Sequence, residues 1–262
     1  MSHRRAVVLS AAAAALLALA GCGADATPEE GSGSASASAP ASTSVPSTQT
    51  LQTEPAPSAT PQPAKLKGSL AFWVRHRTQL RVKPHGRVVA TIKTKTNFKS
   101  PTILAVAARR PGWVLVRTSV ETHHVGWLPL KAGHLFSEPR SIVIDLSKQT
   151  LSVFHRGRLT DTYRVAVGTD ATPTPRGKFA VTDRLTTGTP NGDYGCCILA
   201  LTAHQPKIAQ GWGGGDRVAI HATPHTWTIG RKISHGCVRA TNDALRQLMR
   251  HARLGMPVTI HA

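Results

Sequence analysis

The sequence predicts a mainly-β protein, and three observations lead to this prediction. Short runs rich in Val, Ile and Leu alternate with turns that contain Pro or Gly between residues 67 and 137. Similar short runs, joined by tight turns, recur between residues 138 and 262. One stretch, which begins near residue 241, has its apolar residues at helical spacing. We therefore expect a small all-β, barrel-like domain at 67–137 and a larger, mainly-β domain at 138–262.

The first 21 residues have the pattern of an export signal. Two arginines precede an uncharged stretch, residues 6–20, made mostly of Ala, Leu and Val. This stretch is shorter than the roughly 20 residues that a membrane-spanning helix needs, so we interpret residues 1–21 as a signal peptide. The run Leu-Ala-Gly-Cys at 19–22 resembles a bacterial lipobox. We therefore expect a lipid on Cys22 that holds the mature protein at the outer face of the cell membrane. The alternative is an ordinary signal peptide with a chance cysteine.

Residues 22–66 have the composition of a tether. They consist largely of Ser, Ala, Thr, Pro and Gly, with few bulky apolar side chains. Such a segment cannot bury enough apolar surface to offset its backbone entropy, so we expect disorder. Its Ser- and Pro-rich composition predicts a semi-extended chain. A lipid at Cys22 followed by this tether would let the folded parts reach away from the membrane.

The charge is strongly basic and unevenly distributed. The chain has 32 Lys and Arg against 13 Asp and Glu. Residues 67–137 hold 13 of the basic residues and a single acidic one, whereas residues 138–262 hold 16 basic and 8 acidic residues. A field of this sign attracts polyanions. For an exported chain we expect the anionic polymers of the cell wall as partners, and not nucleic acid. The alternative, a solvated basic surface without a partner, stays open.

The first folded part is predicted to consist of short strands. Two of its runs, Gly-Trp-Val-Leu-Val at 112–116 and Gly-Trp-Leu at 126–128, resemble those of a bacterial Src-homology-3-like module. Prolines and glycines near residues 84–86, 101 and 111–112 separate the strands. The predicted strands are 70–74, 80–82, 88–92, 103–107, 113–116 and 126–128.

The second folded part is predicted to begin with a hairpin and to end with a helix and a strand. Its predicted strands are 142–146, 151–154, 163–167 and 258–260. Thr241, Asn242 and Asp243 offer capping side chains for a helix that buries Leu245 and Leu248. A glycine at 255 suits the position just after such a helix, and a proline at 257 prevents its continuation.

A cysteine and a histidine in this second part indicate a site for acyl transfer. Cys237 follows Gly236, and His221 ends a short apolar run upstream. A nearby imidazole can take the proton of a thiol and leave a strong nucleophile. The glycine lets the backbone approach a substrate and present its N–H groups. Taken alone, a cysteine between Gly and Val is more often a small buried hydrophobe, so the pair by itself is a weak signal.

The residues around this pair resemble the signature of a known family. His221, a spacer, and then Ser-His-Gly-Cys-Val-Arg at 234–239 are similar to the pattern of the L,D-transpeptidase catalytic domain of the YkuD type. The run Thr-Pro-Thr-Pro-Arg-Gly-Lys-Phe at 172–179 is similar to a turn of the same family. The resemblance spans about 125 residues. It implies a β-sandwich catalytic domain with one or two short helices.

The resemblance also implies an activity and roles. The enzyme would cross-link peptidoglycan stem peptides in the 3→3 manner through an acyl group on Cys237, with His221 as general base and then acid. The carbonyl of Ala222 would orient the imidazole, and N–H groups at Gly236 and Cys237 would hold the oxyanion. The resemblance implies no cofactor and no metal, and carbapenem-type β-lactams as inhibitors. Further substrate-binding candidates are Ser234, His235, Arg239 and Tyr194.

Three other functions stay open at this stage. The same Cys/His site could release stem-peptide residues to water, as an L,D-carboxypeptidase does. A zinc hydrolase is a different class, because His221, His225, His235 and Cys237 are close in sequence. A lipid-tethered wall-binding protein with an inactive catalytic domain is the third.

The remaining cysteines are not expected to form a disulfide framework. Cys196 and Cys197 are adjacent, and neighbouring cysteines rarely bridge each other. No repeated Cys-x-x-Cys pattern of a zinc ribbon is present in the sequence.

Overall fold

The computed structural model describes residues 69–207 and 216–262. These described residues belong to one compact unit. The predicted signal peptide, the lipid on Cys22 and the tether all lie outside the described residues and stay predictions. Within the described part of the chain, no helix has the length and apolarity needed to cross a membrane.

Seven strands form the first sheet, in the order β3-β2-β6-β5-β4-β1-β7. Its pairs are antiparallel, as expected for consecutive short strands with tight turns. Alternate side chains point inward, and Phe72, Leu80, Val114 and Leu128 are fully buried in one core. The strands are β1 Leu70–Val74, β2 Thr78–Arg81, β3 Val88–Ile92, β4 Ile103–Arg110, β5 Trp113–Arg117, β6 Val125–Pro129 and β7 Gly133–Ser137.

Eight strands form the second sheet, in the order β10-β9-β8-β17-β12-β13-β14-β16, and β11 pairs with β15 in a small separate sheet. Two strand pairs of the eight-stranded sheet are parallel, β17 with β8 and β14 with β16. The strands are β8 Arg140–Asp145, β9 Thr150–His155, β10 Arg158–Arg164, β11 Val167–Gly168, β12 Gly177–Thr186, β13 Cys197–His204, β14 Arg217–Thr223, β15 Lys232–Ser234, β16 Val238–Thr241 and β17 Pro257–His261. The mainly-β fold class is therefore confirmed.

The α-helix α1 (Asn242–His251) directly follows β16. The Thr241 side chain accepts a hydrogen bond from the Ala244 N–H (3.2 Å), as expected for an N-cap. Leu245 and Leu248 are buried against the second core, as the helical spacing predicts. The helix ends before Ala252, so Gly255 does not lie directly after it, which corrects that prediction. Gly255 instead makes a left-handed turn (φ 79°) before β17.

The two sheets pack directly against each other through this turn and three polar contacts. A Cβ on Gly255 would lie 2.7 Å from Ile103 Cγ2 and 2.9 Å from Ala71 Cβ, so the turn fits tightly against the first sheet. The Thr96 hydroxyl donates to the buried Asp183 carboxylate. His204 Nε2 lies 2.9 Å from the Ser119 carbonyl oxygen, and Arg117 donates to the Lys178 carbonyl (3.1 Å). The first sheet therefore supports the second sheet and is not an independent appendage.

The structure departs from the sequence prediction at the cysteines. Cys196 and Cys197 are joined in a disulfide, whereas the sequence analysis expected no bridge between them. The pair stands where a tight turn enters β13, and Gly195 before it has a positive φ of 56°. An extended strand in place of this turn would point the two side chains to opposite faces, so the irregular backbone is what brings the two sulfur atoms together.

Candidate active site

His221 lies on β14, and Cys237 directly precedes β16, the parallel neighbour of β14 at the edge of the second sheet. In the register of the two strands, Ile220 stands opposite Val238 and His221 opposite Arg239. The chain therefore enters β16 beside His221, with Cys237 one residue before the first paired position. The side chains of His221, Cys237 and Arg239 line one cavity of ≈ 300 Å³. The pair that the sequence analysis singled out is thus brought together.

His221 is buried, with 4% of its surface exposed, and has one fixed partner. Its Nδ1 lies 2.7 Å from the carbonyl oxygen of Ala222. A carbonyl only accepts hydrogen bonds, so Nδ1 carries the proton and Nε2 holds the free lone pair. Ala222 therefore has the orienting position that the sequence analysis gave it.

The imidazole of His221 is neutral at physiological pH. Burial, with a smaller contribution from the positive charge of Arg239, lowers its pKa to about 4, while the Ala222 hydrogen bond and Asp193 act in the opposite direction. Burial also raises the pKa of the Cys237 thiol above its ordinary value, against the Ala219 backbone and Arg239, which lower it. The resting pair is therefore a thiol and a neutral imidazole, and not a thiolate–imidazolium ion pair.

Tyr194 and Arg239 form the polar walls of the cavity. The Tyr194 ring lies against His221, with 4.8 Å between ring centroids. Burial, followed by the charges of Cys237 and Asp193, raises the pKa of Tyr194 to about 12, so the phenol keeps its proton. The Arg239 Nε is buried and has no hydrogen-bond partner within the described residues. Both residues belong to the cavity, as does the exposed His235.

The Ser234 side chain stabilises the turn before Cys237 through hydrogen bonds within the turn. Ser234 is fully buried, and its hydroxyl accepts the Gly236 N–H (3.1 Å) and donates to the Cys237 carbonyl. The Ser234 hydroxyl and the Gly236 N–H are thus both engaged within the turn. The roles of Ser234 in substrate binding and of Gly236 as an oxyanion donor stay predictions. The N–H of Cys237 stays the candidate donor.

Gln205 is a supporting residue that sequence reasoning missed. Its buried amide nitrogen donates to the carbonyls of Pro173 (3.1 Å) and His235 (3.0 Å), which ties the 234–237 turn to the proline-rich loop. Gly236 has φ 113°, and a Cβ there would lie 2.2 Å from this same nitrogen. The glycine is therefore required by the close approach of Gln205. The sequence offers no local signal for Gln205, since it is remote from both segments that it joins.

Three more side chains line the cavity, and sequence reasoning did not assign them to it. Asp193 and His225 face each other across 4.0 Å at its rim, and Thr223 lies at the end of β14. Asp193 directly precedes Tyr194, which is the one sequence signal that could have found it. His225 was considered only as a zinc ligand.

The vicinal cysteines lie beside the orienting carbonyl. Ile198, the residue after Cys197, pairs with His221 in the sheet. A Cβ on Gly195, the residue before Cys196, would lie 2.4 Å from the Ala222 Cβ. The Cys196 N–H donates to the Asn242 side chain (2.7 Å). The disulfide thus belongs to the wall behind His221, and both of its sulfur atoms are oxidised.

A metal centre at this site has no geometric support. The described residues contain no group of three or more His, Cys, Asp or Glu side chains arranged to hold an ion. The Nδ1 of His221 is engaged by Ala222, as described above.

A thiol, a neutral imidazole oriented by a carbonyl, and a candidate N–H donor on one sheet edge define a cysteine acyl-transfer enzyme. Comparison with known proteins narrows this class. Residues 139–260 match the family model described as YkuD, L,D-transpeptidase catalytic domain. The chain belongs to this family and carries an L,D-transpeptidase catalytic domain.

Two curated relatives, both called putative L,D-transpeptidase YkuD, support the family assignment by sequence similarity. The protein of Bacillus licheniformis is 34% identical over 122 residues, which are 47% of this chain and 66% of that protein. The protein of Bacillus subtilis is 30% identical over 126 residues, which are 48% of this chain and 68% of that protein. The matches thus span about two thirds of each relative's length.

Among solved structures, L,D-transpeptidase 3 of Mycobacterium tuberculosis in complex with a faropenem-derived adduct is similar to this chain. It is 16% identical, with a TM-score of 0.41 over 53% of this chain and 73% of that chain. The family assignment rests on the sequence matches.

Proposed function

We propose that this enzyme joins peptidoglycan stem peptides by 3→3 cross-links through a thioester on Cys237. The observation that carries the proposal is the hydrogen bond from His221 Nδ1–H to the Ala222 carbonyl, which leaves Nε2 as the base of a side chain that lines the same cavity as Cys237. The family membership supplies the substrate class.

Acylation follows from the neutral state of the pair. Nε2 of His221 takes the Cys237 proton as the sulfur attacks the carbonyl carbon of the third stem residue. The negative charge that develops on the carbonyl oxygen is held by the Cys237 N–H. The imidazolium returns the proton to the amine of the terminal D-residue, whose C–N bond breaks, and the thioester remains.

Transfer repeats these steps with an amine of a neighbouring stem. The neutral amine attacks the thioester carbonyl, Nε2 takes one of its protons, and the imidazolium protonates the departing Cys237 sulfur. The buried Arg239 Nε, which has no partner among the described side chains, supports a role in holding a substrate carboxylate. Tyr194 is protonated, and its ring packs at a tilt of 56° against His221, which favours the observed position of the imidazole.

Mass analysis of muropeptides after incubation with the purified protein tests this function. A tetrapeptide donor with an acceptor stem should give a 3→3 dimer and free terminal D-residue, and Cys237→Ala should give neither. A tripeptide product without dimer would show that water is the acceptor, as in an L,D-carboxypeptidase.

The location and further partners complete the proposal. The enzyme would lie at the outer face of the cell membrane, within reach of the wall. The predicted signal peptide, the lipid on Cys22 and the tether would place it there. The basic charge of residues 67–137 favours anionic cell-wall polymers as partners. Carbapenem-type β-lactams would acylate Cys237, because their strained carbonyl meets the same nucleophile as the stem peptide.

A further inference from the structure

The first sheet carries a groove that the acyl-transfer chemistry does not use. It has a volume of ≈ 710 Å³ and lies where β2, the turn before β3, the start of β5 and the chain after β6 meet. The strand order β2-β6-β5 places these segments side by side, with Arg81 opposite Trp127 and Trp113 opposite Pro129. None of its lining residues belongs to the Cys237 cavity.

The groove is basic along its whole length. Arg77, Arg81, His85 and Lys131 line it, and none of the described residues around it is acidic. Arg81 is held in place, because its guanidinium donates to the Gly86 carbonyl (2.7 Å) and to the Gln79 side chain (2.5 Å). A guanidinium fixed in this way loses little entropy when it binds an anion.

The spacing of the arginines indicates an extended ligand. Arg77 directly precedes β2 and Arg81 is its last residue, so an extended backbone separates them by about 13 Å at roughly 3.3 Å per residue. Lys131 lies across the groove on the chain after β6. A polymer with repeated anionic groups can contact these cations at successive positions along the groove.

One wall of the groove is aromatic and apolar. Trp113 is partly exposed at the start of β5, next to Leu130. The His85 ring packs edge-on against Trp113, with 5.0 Å between centroids. His85 has φ 60°, a left-handed conformation within the turn between β2 and β3. In this conformation its imidazole lies against the tryptophan ring.

We propose that this groove binds an anionic saccharide polymer, with a sugar ring on Trp113 and its carboxylate or phosphate groups on Arg77, Arg81 and Lys131. The choice of a saccharide over nucleic acid rests on the proposed location in the cell envelope. It also fits the single aromatic platform, since proteins that bind single-stranded nucleic acid stack successive bases on several rings. The groove would hold the enzyme on the wall while its catalytic site acts on stem peptides.

Affinity measurements with the purified full chain at 50 mM salt test this assignment. Polygalacturonate provides carboxylated sugars and phosphorylated dextran provides phosphorylated sugars, which separates the two anionic groups. Unmodified dextran, poly-glutamate and oligo-thymidylate provide uncharged sugar, charge without sugar, and nucleic acid. The test variants are Arg77→Ala with Lys131→Ala, and Trp113→Ala; the matched control is Arg156→Ala with Arg158→Ala, two exposed arginines at the β9–β10 turn.

We expect at least one charged saccharide to bind more than tenfold more tightly than dextran. The Arg77/Lys131 variant should lose at least tenfold in affinity, Trp113→Ala should lose several-fold for the saccharide but not for poly-glutamate, and the arginine control should stay within twofold. Equal losses in the control and groove variants, tighter binding of oligo-thymidylate, or equal affinity for poly-glutamate and both charged saccharides would overturn the proposal. Should Trp113→Ala fail to fold, the Arg77/Lys131 variant and its control decide the matter.

Transfer activity on soluble stem peptides separates this proposal from the proposed function. The groove variants should keep the wild-type rate on a soluble donor and acceptor, because none of the substituted residues lines the Cys237 cavity. A wild-type protein without transfer activity would contradict the proposed function, and the polymer affinities would still report on the groove.

Discussion

At the scale of single residues, the site holds two uncharged groups, a thiol and a neutral imidazole. Burial lowers the pKa of His221 to about 4 and raises that of the Cys237 thiol. The imidazole is therefore available as a base throughout the neutral range, while the thiol keeps its proton. In the proposed mechanism, formation of the thiolate is coupled to its attack on the carbonyl, where general-base help is worth roughly 10²–10⁴ in rate.

This pairing predicts the acid side of the pH profile. The base must be neutral, so kcat/KM for a soluble tetrapeptide donor should stay level from about pH 7 down to pH 5. It should then fall about tenfold per pH unit once His221, with its pKa of about 4, becomes protonated. Return to pH 7 should restore activity, which separates titration from unfolding. A midpoint near the ordinary value of about 6.5 would contradict the burial of the catalytic base.

At the scale of elements, the active site depends on a short turn between β15 and β16. Its geometry comes from the fully buried Ser234 hydroxyl, from the positive φ of Gly236 and from the Gln205 amide that bridges to the Pro173 loop. These contacts fix where the Cys237 sulfur and N–H point. None of them touches the reacting atoms, so the turn positions the nucleophile.

Loss of the Gln205 bridge should therefore reduce kcat as well as stability. Gln205→Ala leaves the Pro173 and His235 carbonyls without their donor, at a cost of about 1–3 kcal/mol for each group that stays buried. We expect kcat to fall at least tenfold while KM changes little, since the cavity walls remain. Gln247→Ala, an exposed glutamine on α1, serves as the control and should retain wild-type kinetics. A Gln205→Ala enzyme with normal kcat would show that the turn keeps its shape unaided.

Much of this element structure could be predicted from local sequence. The strands at 70–74 and 88–92, the hairpin of β8 and β9, and the capped helix α1 each carry a local pattern of apolar spacing or capping residues. The family signature identified Cys237, His221 and Ala222, whose arrangement the structure displays. Their roles as nucleophile, base and orienting group stay predictions.

The remaining features are non-local, and local patterns do not encode them. The strand β13, which the sequence analysis did not assign, runs through the sheet centre between β12 and β14. The parallel pairing of β14 with β16, the bridge from Gln205 and the meeting of Asp193 with His225 all join segments far apart in the chain. The Cys196–Cys197 disulfide depends on turn geometry that residue spacing does not reveal.

At the scale of the whole molecule, the two sheets form one unit with a shared boundary. Gly255 sits against Ala71 and Ile103, and His204 joins the Asp216 carboxylate (2.6 Å) to the Ser119 carbonyl. The first sheet therefore has two roles in this account. It supports the second sheet, which carries the candidate catalytic residues. Its basic groove, with Trp113 in one wall, would engage the cell wall.

Substitution of Gly255 should reveal this boundary. Gly255→Ala combines a left-handed backbone (φ 79°) with a Cβ that would press on Ile103. Gly157→Ala is the matched control, because Gly157 has nearly the same φ (78°) and no atom within 4 Å of its added Cβ. The free energy of unfolding should drop by about 1–2 kcal/mol in the control, and by at least about 1 kcal/mol more in Gly255→Ala. Equal losses in both variants, measured by urea unfolding, would mean that the boundary is loosely packed.

The proposed anchor gives a prediction for the complete chain in a bacterial host. With the lipobox-like run at 19–22, the wild-type protein should enter the detergent phase, and Cys22→Ala should remain in the aqueous phase. Phase partitioning with detection of the folded part measures this, and Cys237→Ala, which leaves the N-terminus intact, is the control. Aqueous partitioning of both wild type and Cys22→Ala would rule out the lipid.

The central claim, that Cys237 is the acylated nucleophile and His221 its base, is tested most directly by intact-mass spectrometry with imipenem. The wild type should gain one adduct, which peptide mapping places on Cys237. The Cys196→Ala/Cys197→Ala double variant should gain the same adduct, His221→Ala should gain it roughly 10²–10⁴ times more slowly, and Cys237→Ala should gain none. An adduct that persists in Cys237→Ala, or that maps to Cys196 or Cys197 in the wild type, would contradict the account.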